Sequence, residues 1–235
     1  MIYANCSKGR NMDLNFYNAI QELNKREVFY WVCHGSLLGL ARNGELIPWD
    51  HDIDLAVWEG DYSQDYIINI FESIGFKFQE DHPEGSLKFT KSGGRSIDVN
   101  LYKKCETSKD LVCVLHRIPN SKISSLLEKV VNRKEYEGSR VNINIFKIVK
   151  FFRLLLLPIY YFLDKLGFIF VYKGYTTPQN LLFDFVDFDY FDTKCKVPKD
   201  FKSVNTYIYG QNWKIPNKKY NWITDSKSVT IQAPK

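Results

Sequence analysis

Three aspartates stand at alternate positions in Trp49-Asp-His-Asp-Ile-Asp54. Successive side chains of a strand take opposite faces, so Asp52 and Asp54 point one way and Ile53 the other. Two carboxylates on one face repel each other and resist ionisation unless a cation lies between them. Mg²⁺ is the cation whose usual work is to grip substrate phosphates, with Mn²⁺ as its substitute. A third acid, Asp98 in Arg95-Ser-Ile-Asp-Val-Asn-Leu101, sits between Ile97 and Val99 on another strand-like segment. Asp52, Asp54 and Asp98 are therefore the expected metal ligands and catalytic carboxylates. From two adjacent strands they would hold ions against a pyrophosphate and the charge of a leaving group. Gly35 and Ser36 belong to the same logic. A glycine lets phosphate approach the backbone, and N–H groups at a helix start plus a hydroxyl can bond its oxygens. His34, Arg42, Lys88 and Arg95 complete the candidate substrate contacts. Each has a plainer reading: packing for His34, pairing with Asp50 for Arg42, solvated strand charges for Lys88 and Arg95.

These residues need elements to position them. Residues 13–28 have helical apolar spacing with Asp13 as cap, and 30–33 read as a strand entering a turn at Gly35–Ser36. A short helix over 37–41 should stop before Asn43–Gly44. The aspartate strand runs on through 53–57, and a helix over 62–73 should end at Gly75. Strands follow over 76–79, 87–90 and 96–102, with Gly93–Gly94 as a hairpin turn, and another over 111–115. This is mixed α/β material. Residues 1–120 form the expected catalytic core, and 121–235 a mostly helical part that completes the site within one compact unit. A short helix after Pro198 should end at Gly210.

Gly35-Ser-Leu-Leu-Gly39, Arg42, Gly44, Ile47-Pro-Trp-Asp50 and Asp52-Ile-Asp54 resemble the signature of the LicD family, which includes phosphocholine transferases and fukutin-related ribitol-phosphate transferases. Asp98 is similar to that family's later metal aspartate, and Tyr209-Gly210 with Trp213 and Pro216 to its closing element. His34 departs from the pattern, where relatives usually carry a small residue. The resemblance implies an α/β (α+β) nucleotidyltransferase-like fold, with a mixed sheet carrying the acids, flanking helices and a helical C-terminal part. It implies transfer of a phospho-alcohol, such as phosphocholine or a polyol phosphate, from a CDP-alcohol donor to a sugar hydroxyl of a glycan or lipid-linked glycan, releasing CMP. The competing enzyme reading moves a nucleoside monophosphate from an NTP, since Gly-Ser plus three acids serves that reaction equally well.

The rest of the composition narrows the partners. A net charge of +5 fits an anionic partner. No RNP-type, helix-turn-helix or zinc-finger pattern is present and the basic residues are dispersed, so nucleic acid is not an expected partner. Five cysteines without a CxxC pair argue against a disulfide framework and a zinc cluster. With no apolar run for a signal peptide near Met1, the expected location is cytoplasmic, at most peripheral on the inner face of the plasma membrane. Residues 143–172 are the most apolar stretch, with Lys147, Lys150 and Arg153 at every third position and Pro158 set to end or kink a helix. The plainer reading is a buried helical hairpin. The sharper one is peripheral membrane contact through 145–172.

Overall fold

A computed structural model describes residues 11–79, 85–106, 108–132 and 153–232. They fall into two compact units. The first takes 11–79, 85–114 and 175–229, and the second takes 115–132, 153–174 and 230–232.

The first unit begins with α1, Leu14–Lys25, whose N-cap Asp13 accepts the N–H groups of Asn15 and Phe16 at 3.0 Å. Its Phe16, Ala19, Ile20 and Leu23 are buried. Strand β1, Trp31–Val32, leads into α2, His34–Asn43, which stops where Gly44 turns left-handed at φ +73°. Strand β2, Asp52–Trp58, lies antiparallel to β1, and α3, Gln64–Ser73, follows on its Ser63 cap. The short β3, Lys77–Phe78, pairs with β4, Ser86–Thr90, and β4 lies antiparallel to β5, Ser96–Lys104. Strand β5 also pairs with β2 in parallel, so β5 lies between β2 and β4. The first residues of β6, Leu111–Pro119, take up the end of β5. Period-two alternation explains the two central strands. Ile53, Leu55, Val57, Ile97 and Val99 are almost fully buried on the core side, while Asp52, Asp54 and Asp98 stay partly open on the other.

The chain returns to this unit in the second half of β7, Phe170–Pro178, and in a 3₁₀ turn over Gln179–Leu182. A hairpin of β8, Phe185–Tyr190, and β9, Thr193–Pro198, follows. Next come α6, Phe201–Tyr209, and the short α7, Trp222–Asp225, with β10, Val229–Gln232, last. The described residues of 121–235 thus hold four strands as well as helices. The reason is legible: Val186, Phe188 and Tyr190 alternate with Asp187 and Asp189, and Cys195 and Val197 with Lys194 and Lys196.

In the second unit α4, Lys122–Asn132, packs on α5, Arg153–Lys165, around Val131, Tyr160, Ile169 and Phe170. Arg117 ties this core with Nη2 2.6 Å from Asp164 and its guanidinium 3.7 Å over the Phe170 ring. The Tyr160 hydroxyl donates to buried Glu128. Pro158 neither ends nor interrupts α5, which runs on to Lys165. The carbonyl deprived of an N–H partner belongs to Leu154, which is 78% exposed, so water can take the missing place. The helix is not buried all round: its outward face carries leucine, isoleucine and phenylalanine into solvent. Lys147 and Lys150 of the expected basic stripe lie outside the described residues. Among the described residues no helix is long and apolar enough to cross a membrane.

Candidate active site

The acids are gathered by register. In the parallel ladder Asp54 of β2 is the Cα partner of Asp98 of β5, and Asp52 is the partner of Ser96. Partners of neighbouring strands stand about 4.8 Å apart, with side chains on the same face. Buried Asn100 bonds the two strands further, donating to the Leu55 carbonyl at 3.2 Å.

Helix α2 fixes the cluster from above. Gly35 and Ser36 are not a turn but its first turn. The Gly35 N–H donates to Asp54 Oδ2 at 3.0 Å, and the Ser36 hydroxyl accepts the Asp54 N–H at 2.9 Å. The groups expected to hold phosphate here hold Asp54. A side chain at position 35 would put its Cβ 2.6 Å from Asp50 Oδ2 and 3.4 Å from Asp54 Oδ2, so the glycine is what lets these two carboxylates converge. Cys33 caps the helix without a side-chain bond, and His34 begins it at φ +44°, a region costly for a non-glycine residue. The fold holds His34 there by stacking it on Tyr175 at 4.3 Å and placing its Nε2 3.3 Å from the Tyr102 hydroxyl. At 5% exposure His34 is packed where it positions the start of the helix.

Asp50 belongs to the cluster too. Its pKa is pushed up to about 6 by burial, then by the Asp52 charge. The His51 N–H, 3.1 Å away, and the charge of Arg95 pull the other way. Burial comes first for Asp54 as well, followed by Asp52, Asp98 and Asp50, and together they hold its pKa well above the usual carboxylate value. Four acids thus lean on one another.

That donor set suits a divalent cation, because all the donors are carboxylate oxygens and their mutual repulsion is relieved only by positive charge. Among the described residues no three such side chains are already drawn into a ready-made metal site. A metal would therefore have to draw in carboxylates that the register has placed but not closed.

The cations divide into two kinds. Lys88 is paired with Asp98 at 3.6 Å, and Arg95 with Asp13 at 3.3 Å, so both have acidic partners. The expected Arg42–Asp50 pair is not among the ion pairs of the described residues. Arg42 instead lies 5.7 Å over the Trp49 ring, its Nε and Nη2 buried with no hydrogen-bond partner among the described residues. Lys218 approaches the same indole at 5.0 Å. Trp49 precedes Asp50, so two cations collect beside the acids. Sequence reasoning passed over Lys218, which has no local signature, and gave Asp50 only as a partner for Arg42 although its alternation with Asp52 and Asp54 was plain. It missed Tyr175 as well, whose pKa is raised by burial and in part by Asp54.

Residues 27–117 match the family described as LicD/FKTN/FKRP, nucleotidyltransferase domain. The ribitol 5-phosphate transferase FKRP of Mus musculus is 58% identical over 31 residues, which is 13% of this chain and 6% of that protein. The ribitol-5-phosphate transferase FKTN of Macaca fascicularis is 30% identical over 86 residues, 36% of this chain and 18% of that protein. The chain thus spans a small part of the length of these relatives. The solution structure of the antibiotic-resistance factor ANT(2'')-Ia aligns at a TM-score of 0.33 and 14% identity, covering 66% of this chain and 97% of that one. Nothing about site or substrate follows from so loose a likeness. The match over 27–117 takes in α2, β2 and β5, the elements that assemble the acids, so it is over these elements that the chain is similar to the LicD-type nucleotidyltransferase domain.

Proposed function

We propose that the protein transfers a phospho-alcohol from a CDP-activated donor to a sugar hydroxyl of a glycan or lipid-linked glycan, with Mg²⁺ or Mn²⁺ and release of CMP. One observation carries this reading: the parallel register of β2 and β5 sets Asp54 beside Asp98, with Asp52 on the same face of β2 and Asp50 converging on Asp54 over Gly35. The relatives FKRP and FKTN are ribitol-phosphate transferases, which favours a polyol phosphate as the group moved.

Asp50, Asp52, Asp54 and Asp98 would hold the metal. When bound, the metal would neutralise the donor diphosphate and the charge that grows on the leaving CMP. Gly35 keeps the space over Asp50 and Asp54 free of a side chain, and its N–H orients the Asp54 carboxylate. Arg42 and Lys218, collected on Trp49, are the cations proposed to meet the donor phosphates. Asp98, beside Lys88 at 3.6 Å, or a metal-bound species would take the proton of the acceptor hydroxyl.

The test is a donor screen. CDP-ribitol, CDP-glycerol, CDP-choline and CDP-ethanolamine are each incubated with protein, Mg²⁺ and a glycan acceptor, and CMP is measured. Metal-dependent CMP release from one of them supports the reading. Turnover of an NTP with pyrophosphate release, and none of any CDP-alcohol, replaces it with nucleotidyl transfer.

A further inference from the structure

Helix α5 is apolar on both faces. One face packs Tyr160 and Leu163 into the core of the second unit. The other turns Leu154, Leu155, Ile159, Phe162 and Leu166 outward, with Phe168 just beyond, each 51–78% exposed. Positions 155, 159, 162 and 166 recur at the spacing of a single helical stripe. Soluble monomers seldom leave so continuous an apolar face to water.

Charge chooses the occupant. Within residues 153–168 the only acid is Asp164, and it is held by Arg117 at 2.6 Å. Over the described residues 115–132 and 153–174 there are six Lys or Arg and two acids; setting aside the paired Arg117 and Asp164 and the buried Lys129 and Glu128 leaves four basic residues and no acid. A second copy of the chain would bring two such positively charged units together. An anionic lipid surface complements both the apolar face and the charge: Tyr161 is a residue type that settles at headgroup depth, and Phe162 and Phe168 are suited to the apolar side of an interfacial helix. Over its 13 described residues the helix is about 20 Å long, short of the roughly 30 Å hydrocarbon core, which suits lying on a bilayer.

We propose that the outward face of α5 is a docking surface for anionic membrane, with the helix lying in the interface plane. This rests on the second unit alone and stands apart from the donor chemistry of the acids. The experiment is flotation of the full chain with vesicles of phosphatidylcholine alone or with 30% phosphatidylglycerol as probe, at roughly 50 and 500 mM salt. Expected is co-flotation with the anionic vesicles at low salt, weakened at high salt. The double variant Leu155→Glu/Phe162→Glu should reduce partition at least about tenfold, since each lost apolar contact is worth that much or more. Both positions are exposed, so its melting temperature should stay near wild type. A single Leu155→Trp variant gives a second reading, a blue shift of emission on anionic vesicles only. Failure of the wild type to float at low salt overturns the proposal, and so does unchanged flotation of the double variant. A self-association in sedimentation that the double variant abolishes, without vesicle binding, overturns it in favour of a second copy.

Discussion

Replacing Asp50 with Asn should make the metal-free protein more stable at neutral pH. The carboxyl of Asp50 rises from its ordinary 3.8 to about 6 in the folded protein, first through burial and then through the Asp52 charge. The folded state therefore binds this proton more tightly than the unfolded chain does. That stabilisation is complete below about pH 4 and is lost as pH climbs through about 6. At about 1.4 kcal/mol for each pH unit the displacement is worth about 3 kcal/mol. Asp50 is only half-buried, so solvent screening reduces this to about 1–1.5 kcal/mol. Asparagine keeps an oxygen to accept the His51 N–H and removes one of the charges that press on Asp54. Melting curves in chelator at pH 4 and pH 7.5 should show the two proteins close together in acid. At pH 7.5 the variant should melt about 3–5 °C higher, at about 2–4 °C per kcal/mol for a protein of this size. Saturating Mg²⁺ should close or reverse the gap, since it stabilises the acid-rich wild type more. A gap no wider at pH 7.5 than at pH 4, or a variant that melts lower in chelator at pH 7.5, would refute the account of the cluster as mutually repelling acids.

Other outcomes follow from the same geometry. Asp52→Asn, Asp54→Asn and Asp98→Asn should each lower metal-dependent CMP release by at least about 10²-fold with the fold intact by circular dichroism; near-normal turnover of any one at saturating donor removes that residue from the metal set. Gly35→Ala should cost at least about 10²-fold in kcat, because its Cβ would stand 2.6 Å from Asp50 Oδ2, while a thermal melt shifts little, as the obstacle is a side chain at the edge of the cluster. Arg42→Ala and Lys218→Ala should raise the KM for donor about tenfold each and flatten the salt dependence of inorganic pyrophosphate binding, measured by calorimetry. Cys33, whose thiol is pushed well up by burial and by Asp54, should resist alkylation at pH 8 in the native protein and react once urea unfolds it.

The sheet was legible because β2 and β5 alternate cleanly, and an acid between Ile97 and Val99 has nowhere to point but away from the core. The Asp13 cap and the stop at Gly44 were legible for the same local reasons. The start of α2 was not. It has no side-chain cap and opens on a strained His34, held by Tyr175 from a distant strand, so nothing within a few residues announces a helix. The Gly-Ser pair looked like a turn because glycine favours turns, whereas here its missing side chain makes room for carboxylates. Lys218 stayed hidden because its meaning comes from a tryptophan far back in the chain. The β8–β9 hairpin is a different case: its alternation of apolar and charged residues was present in the sequence and was passed over.

The first unit is discontinuous, and this bears on how the protein is made. The family match ends at residue 117, close to where the chain leaves this unit after Val114, and it re-enters at Tyr175. The returning residues seal the earliest ones: Tyr190 meets Phe16 edge-on at 4.7 Å, and Phe185 meets Phe29 at 5.1 Å. A nascent chain on the ribosome thus carries α1 and β1 with bare aromatic surface until residues near 190 emerge. Closure over so wide a sequence separation is slow, and the waiting intermediate is prone to aggregate. A polypeptide cut after residue 120 would hold every acid of the cluster and still lack the lid of its own hydrophobic core. Expression yield at 37 °C should accordingly depend on chaperone supply more than on anything at the acids.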